Sequence, residues 1–342
     1  MKITLLTYLE AENTKTHDVV IDQVAAALKE RGHKPSILGV HADLGKLING
    51  VKRRKPDLLF NMLETFGTDQ LGAVGVVGLL HLLGVPFTGG GPGELYLQED
   101  KALTKKLLAF DHIVYPEFAV FSKDTDLETG GNLRLPLFVK PLRMDASIGI
   151  DGKSLVRSTT AMMDRVRMIH EKVNDAALVE EYIEGREFYV GVLGNRDPVA
   201  FPAIEMDFSG MPKDAPHILD GKAKWEENSP EYKGSEAVLP ELDDKLQAQL
   251  QKVALGAYRA LRVRDYGRID MRLAATGEIY VIEVNASCYL EQTGEFVRAA
   301  VAAGLDYPTL IDRIVQEALQ RHAQKTPPEP KKKRRRKRAA AV

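Results

Sequence analysis

The chain has 342 residues, 44% of them hydrophobic and 28% charged, which suits a soluble globular protein of two or three domains. A single cysteine, Cys288, excludes a disulfide framework and fits a reducing compartment, the cytoplasm. The longest apolar stretch, residues 71–87, is too broken by His81, Pro86 and glycines to span a membrane. The formal charge of −1 hides an asymmetry: the run KKKRRRKR from Lys331 to Arg338 holds eight cations, leaving 39 Lys and Arg against 48 Asp and Glu elsewhere, an acidic body at −9 with a basic tail.

Residues 1–93 alternate strand and helix. Strands are expected at 2–9, 35–40, 57–62 and 85–88, and helices at 19–31, 46–55 and 71–83, which is an open α/β layer with a parallel sheet. The opening MKITLLTYLEAEN is too soon interrupted for a signal peptide and reads as the first strand. Gly89-Gly-Gly-Pro-Gly93 is read as a linker, because it lacks the spacing of a dinucleotide-binding loop. Residues 94–185 change character to α+β. A helix over 95–110 carries Lys101, Lys105 and Lys106, strands fall at 118–121, 137–141, 154–156 and 177–179, and Ser158 caps a helix over 160–173. Residues 186–322 hold a strand at 188–193, a long loop over 195–240, an amphipathic helix at 242–261, a β-hairpin and a closing helix at 310–322. A loop of that length usually has a function. The tail, 323–342, in which Thr326-Pro-Pro-Glu-Pro precedes the basic run, is expected to be disordered, a solvated appendage or a contact for polyanions.

The hairpin carries the densest chemistry. Before Thr276-Gly277, Ile269, Met271 and Leu273 alternate with Arg268, Asp270 and Arg272; after it, residues 279–284 are almost continuously apolar. With Thr276 and Gly277 as a two-residue loop, counting back sets Asp270 opposite Glu283 and Arg268 opposite Asn285, all on one face. Facing carboxylates destabilise a strand pair unless a cation compensates them. Two carboxylates and an amide oxygen are hard ligands, too few for a closed cage but suited to magnesium, which keeps waters and binds substrate phosphates. Arg268 beside them would stabilise a transferring phosphoryl or acyl-phosphate group. On the hairpin alone, a polar strand end in which Arg268 merely pairs the acids stays open.

Elsewhere, Lys140 ends an apolar strand and precedes a small-residue loop with Ser147 and Gly149, whose backbone donors could cradle phosphates; Lys101 could reach the same place from its helix. The connection Glu180-Glu181-Tyr182-Ile183-Glu184-Gly185-Arg186-Glu187 leaves backbone groups for an adenine edge and Glu187 for ribose hydroxyls. Solvated lysines and an acidic surface loop are the plainer readings of each.

The strings GRID (267–270) and EIYVIEVNAS (278–287) resemble the metal-binding hairpin of ATP-grasp ligases, most closely the D-alanine–D-alanine ligase family. NMLETFG (61–67) and GVPFTG (84–89) look like that family's N-terminal domain. The resemblance implies an ATP-grasp fold, an N-terminal open parallel α/β domain (1–93) followed by two α+β subdomains (94–185 and 186–322) enclosing the nucleotide. It implies ATP and two magnesium ions, or manganese, as cofactors. Lys101 and Lys140, with the loop at Ser147, would meet the phosphates; Glu180, Glu181, Tyr182 and Ile183 adenine; Glu187 ribose; Asp270, Glu283 and Asn285 the metals. Arg268 would be catalytic. Residues 207–225 are similar to a mobile loop whose lysine, here Lys224, reaches the phosphates. The implied reaction joins small-molecule carboxylate and amine substrates, amino acids or small peptides, through an acyl phosphate. A homodimer is compatible with it.

The departures concern the substrate. The family's N-terminal loop, with a glutamate that anchors an ammonium, has no clean counterpart in TYLEAENTKTHD (7–18). Ala146 and Trp225 stand where the family pairs a serine with a tyrosine. Gly294 and Glu295 stand where a Ser-Leu pair holds the acceptor's carboxylate, which a glutamate should repel. The expectation is therefore retained nucleotide and metal chemistry with an altered amino-acid pocket. The alternatives are an authentic D-alanine–D-alanine ligase of cell-wall synthesis, ATP-grasp phosphorylation without ligation, and a non-catalytic nucleotide- or polyanion-binding protein working through its tail.

Overall fold

Three β-sheets follow one another along the chain. In the computed structural model the described residues are 1–325 apart from 13, 15, 70, 124–127, 130, 131, 145, 146, 213 and 214. The expectations on the basic run and on Ala146 lie outside these residues, as does the side chain of Trp225.

In the first sheet β1 (Lys2–Tyr8) lies between the parallel strands β2 (Lys34–Val40) and β3 (Leu58–Met62). Residues 3–7 are all buried, as a central strand covered on both faces requires. The intervening helices are α1 (Val19–Glu30), α2 (Leu44–Arg54) and α3 (Gly72–Leu83). α2 starts two residues earlier than expected because Asp43 accepts from the Lys46 N–H at 3.0 Å and sets the first turn. The strand expected at 85–88 contributes only an isolated parallel bridge from Phe87 to Leu59. Pro86 beside it has no N–H to donate to a ladder.

The helix expected over 95–110 is two, α4 (Pro92–Glu99) and α5 (Lys101–Phe110). They part at Asp100, whose backbone is extended and whose carboxylate accepts from Leu103 N–H at 3.0 Å, restarting the helix with Lys101 as its first residue.

The second sheet is antiparallel, in the order β5-β4-β8-β6-β7, from β4 (Phe118–Phe121), β5 (Glu128–Thr129), β6 (Leu137–Pro141), β7 (Leu155–Val156) and β8 (Ala177–Glu181). α6 (Thr159–Met168), capped by Ser158, buries Val166 against Leu137, Val139 and Val179, and Ala102 of α5 packs with Leu178 on the other face. The helix continues to Val173 as a π-turn.

The third sheet runs β12-β11-β9-β13-β14 with β10 beside β9, all antiparallel. Its strands are β9 (Gly185–Leu193), β10 (Val199–Ala200), β11 (Ile204–Asp207), β12 (Glu236–Val238), β13 (Tyr266–Ala274) and β14 (Ile279–Ala286). The stretch expected as one long loop, 195–240, thus supplies β10, β11 and β12 together with the short helices α7 (Gly221–Trp225) and α8 (Pro230–Gly234). Strands of two to four residues are too short for alternation to register. α9 (Asp244–Ala260), α10 (Glu295–Ala302) and α11 (Tyr307–Lys325) complete the fold, α10 having no counterpart among the expected elements.

The first and third sheets share a core in which Ile3, Leu5 and Phe60 meet Tyr266, Phe296 and Ile314. Asp265, fully buried at φ +66°, fastens this junction by accepting from Arg321 (2.8 and 2.7 Å), Asn195 (3.0 Å) and the Gly89 N–H (2.8 Å). The run from Gly89 is therefore closely packed rather than a free linker: a Cβ on Gly89, at φ +83°, would lie 2.2 Å from Ser287 Oγ. Among the described residues no helix is long and apolar enough to cross a membrane.

Candidate active site

β13 pairs with β14 so that Arg268 faces Asn285 and Asp270 faces Glu283, as the sequence count sets them. Two compensating departures produce that register. The loop is Ala275-Thr276-Gly277, with Ala274 and Glu278 closing it and Gly277 at φ +86°, one residue longer than assumed. Alone, that would set Asp270 opposite Ile282 and turn Glu283 to the other face. A bulge at this point of β14 absorbs Ile282 and restores the pairing.

Arg268 donates from Nε and Nη2 to the two oxygens of Asp270 at 2.7 and 2.9 Å, and from Nη1 to Glu295 at 3.0 Å. Its guanidinium lies 4.9 Å from the centre of the Tyr189 ring. Asn285 Nδ2 donates to Asp270 at 3.1 Å, which leaves its carbonyl oxygen as a ligand. Burial lifts the Asp270 carboxyl, against the pull of Arg268, to about 6. Burial would lift Glu283 likewise, but Lys101, Lys140, Lys224 and Arg268 bring it down to about 2.

Lys101 Nζ lies 3.3 Å from Glu283 and donates to the Met144 carbonyl at 2.9 Å. On β6, Lys140 meets Glu180 at 2.8 Å, and Lys105, one helical turn beyond Lys101, meets the other oxygen of Glu180 at 3.0 Å. All three side chains are buried. Glu180 and Glu181 consequently belong to β8, and the connection expected over 180–187 shrinks to Tyr182, Ile183 and Glu184. Glu181 turns its carboxylate to Arg134 at 3.0 Å.

Arg272 organises the next stretch. It donates to Glu187 at 3.0 and 2.7 Å, to the Ile183 carbonyl at 2.9 Å and to the His217 carbonyl, and it stacks 4.9 Å over Tyr182. Tyr189 O–H donates to the other oxygen of Glu187 at 2.6 Å. Ser147, at φ +62°, donates to the Leu219 carbonyl at 2.9 Å, fastening the loop after Lys140 to the segment that leads into α7 and Lys224.

All fifteen residues singled out from the sequence line one cleft of 1320 Å³, Gly294 and Glu295 entering it from the N-terminus of α10. Among the described residues no three His, Cys, Asp or Glu side chains gather as a closed metal site. The set Asp270, Glu283 and Asn285 instead fits magnesium completed by waters and phosphate oxygens, and the burial-raised Asp270 is a group that a divalent cation would relieve.

The family model for the D-ala D-ala ligase C-terminus matches residues 107–316. The chain belongs to the D-alanine–D-alanine ligase family. It is 32% identical over 310 residues to an uncharacterized protein, y4sG, from Sinorhizobium fredii, covering 89% of this chain and 88% of that one. It is 29% identical to a D-alanine–D-alanine ligase from Pelotomaculum thermopropionicum, covering 87% and 91%. A D-alanine–D-alanine ligase from Bacillus anthracis complexed with ATP has the same fold, with a TM-score of 0.73 at 22% identity over 95% of this chain and 100% of that one. As a member of the D-alanine–D-alanine ligase family the chain is an ATP-dependent ligase of ATP-grasp fold, and magnesium is typical of the family.

Two residues that organise the cleft of this D-alanine–D-alanine ligase relative had no role in the sequence reading. Arg272 shares the parity of Arg268 and Asp270 on β13, a signal the alternation already contained. Lys105 lies one turn beyond Lys101, but its role depends on Glu180, which only the fold brings near.

Proposed function

We propose that this protein is a carboxylate–amine ligase with intact nucleotide and metal machinery and an amino-acid pocket unlike that of a D-alanine–D-alanine ligase. The observation that carries the reading is the hairpin face on which Arg268, Asp270, Glu283 and Asn285 converge beside Lys101, while Glu295 sits on Arg268. In the reaction a carboxylate oxygen of the first substrate attacks the γ-phosphorus of ATP and the bond to the bridging oxygen breaks, giving an acyl phosphate and ADP. The amine nitrogen then attacks the acyl carbon, the bond to the phosphate oxygen breaks, phosphate leaves and the nitrogen releases a proton to solvent.

Lys101, Lys140 and Lys224 hold phosphate oxygens, with the loop at Ser147 closing over them. The segment from Glu180 to Ile183 borders adenine, and Glu187, fixed by Arg272 and Tyr189, accepts from ribose. Arg268 stabilises negative charge developing on the transferring group. Asp270, Glu283 and Asn285 would hold two magnesium ions, or manganese, whose charge neutralises phosphate oxygens when bound. Residues 1–93, 94–185 and 186–322 act as three parts around the nucleotide, in the cytoplasm, and a homodimer is compatible with this reading.

Phosphate release from ATP with D-alanine as sole amino acid tests the pocket. Little turnover is expected, and turnover typical of a dedicated dipeptide ligase would assign the protein to that role, which the relatives of that name favour. A purified protein that neither binds nor hydrolyses ATP with magnesium present would sink the reading.

A further inference from the structure

The three cleft-facing residues of β13 mark an axis. Arg272 clasps Glu187, Asp270 faces Glu283, and Arg268 reaches Glu295. Lysines surround the middle of this line, where Lys101 lies 3.3 Å from Glu283 and Lys140 and Lys224 line the same cleft. Beyond Arg268 the sign reverses: Asp18, Glu291 and Glu295 line the cleft. Asp18 is met by Tyr289 O–H at 2.7 Å and Glu291 by Gln23 at 3.4 Å and the Thr293 N–H at 3.0 Å, all neutral donors. His17 lies 3.1 Å from Asp22.

Among the described residues Arg268 is therefore the guanidinium at this end, and Asp270 and Glu295 already accept from it. Asp270 takes two of its donors and Glu295 takes Nη1. Glu295 is the first residue of α10, where the helix terminus favours an anion, so two independent features hold it there. A carboxylate brought to the Nη1 edge of Arg268 would meet the Glu295 carboxylate already there. A positive group would meet Glu295 with Asp18 and Glu291 in the same cleft.

We propose that Glu295 determines the amine acceptor: a diamine, one nitrogen of which reacts while the other, as an ammonium, lies against the Glu295 carboxylate. This rests on the ligase reading above. The test measures phosphate release with each common amino acid in turn as donor, and putrescine, alaninamide or alanine as acceptor, above the rate with donor alone. Wild-type kcat/KM for putrescine is expected to exceed that for alanine by about 100-fold, alaninamide falling between, with the difference mainly in KM. E295Q is nearly isosteric and can still bond Arg268, so it should fold. It should narrow the gap by about tenfold or more through the putrescine KM, leaving the donor KM unchanged. Alanine used as well as putrescine by the wild type, or an unchanged gap in E295Q, overturns the acceptor assignment and leaves the ligase standing. Phosphate release from no donor–acceptor pair overturns both.

Discussion

Asp270 and Glu283 face each other across the hairpin, yet the fold drives their acid strengths apart, to about 6 for Asp270 and about 2 for Glu283. The difference comes from their neighbours. Glu283 sees three lysines and Arg268, whereas Asp270, its side chain 10% exposed against 26% for Glu283, has Glu283 and Glu187 acting against Arg268.

A pH dependence follows for Asp270. Its value in the fold lies above the ordinary 3.8, so without metal the ionised group costs stability above about pH 6, and the cost is relieved as pH falls toward 4. The amount is on the order of 3 kcal/mol. Magnesium with ATP needs the anion, so its affinity should fall about tenfold per unit below pH 6, with a proton released on binding. Calorimetry in buffers of different ionisation enthalpy reads both, and an affinity constant from pH 7 to 5 would refute the assignment.

The buried row of Lys105, Glu180 and Lys140 makes Glu180 its keystone. Replacing it in E180Q leaves two buried lysines repelling each other and should cost about 3–5 kcal/mol. Adding K105M should recover most of that loss. Urea denaturation of the single and double variants measures the coupling, and simple additivity would show that the charges do not interact.

Arg321 compensates a carboxylate with no exposure at all. R321M should destabilise the protein by about 3–5 kcal/mol, because it removes the guanidinium that is hydrogen-bonded to both oxygens of the buried Asp265 carboxylate. D265N in the same background should restore most of the loss, and a denaturation midpoint unmoved by R321M would contradict this.

Gly89 combines a left-handed backbone with contact against Ser287. G89A should cost about 1–3 kcal/mol from the backbone alone, with the clash added. S287A would relieve the clash and not the backbone, so partial recovery is expected in thermal denaturation; complete recovery would show that the conformation is unstrained.

Much of the site was legible because its residues sit where strands and helices begin or end. Lys140 closes an apolar strand, and the alternation through Arg268, Asp270 and Arg272 gives a face without any structure. The loop was misjudged because three-residue and two-residue turns can both carry Thr-Gly, and Ile282 reads as one more apolar strand residue although the bulge makes it the extra one. Lys105 was illegible in its role for another reason: a lysine is buried only when something distant answers it, and Glu180 arrives through the second sheet. β10, β11, β12 and α10 are held by packing and are too short for a periodic pattern.

From three separate places in the fold, Tyr182 and Arg272 hold the peptide carbonyl of residue 217 and Ser147 that of residue 219. A main-chain oxygen is there whatever side chain accompanies it, so the hydrogen bonds of this latch do not require a particular amino acid in the segment it grips. A change at position 217 keeps that oxygen but gives up the stacking of the His217 ring on Phe208, 5.6 Å away, whereas loss of Tyr182 or Arg272 takes away a donor directly.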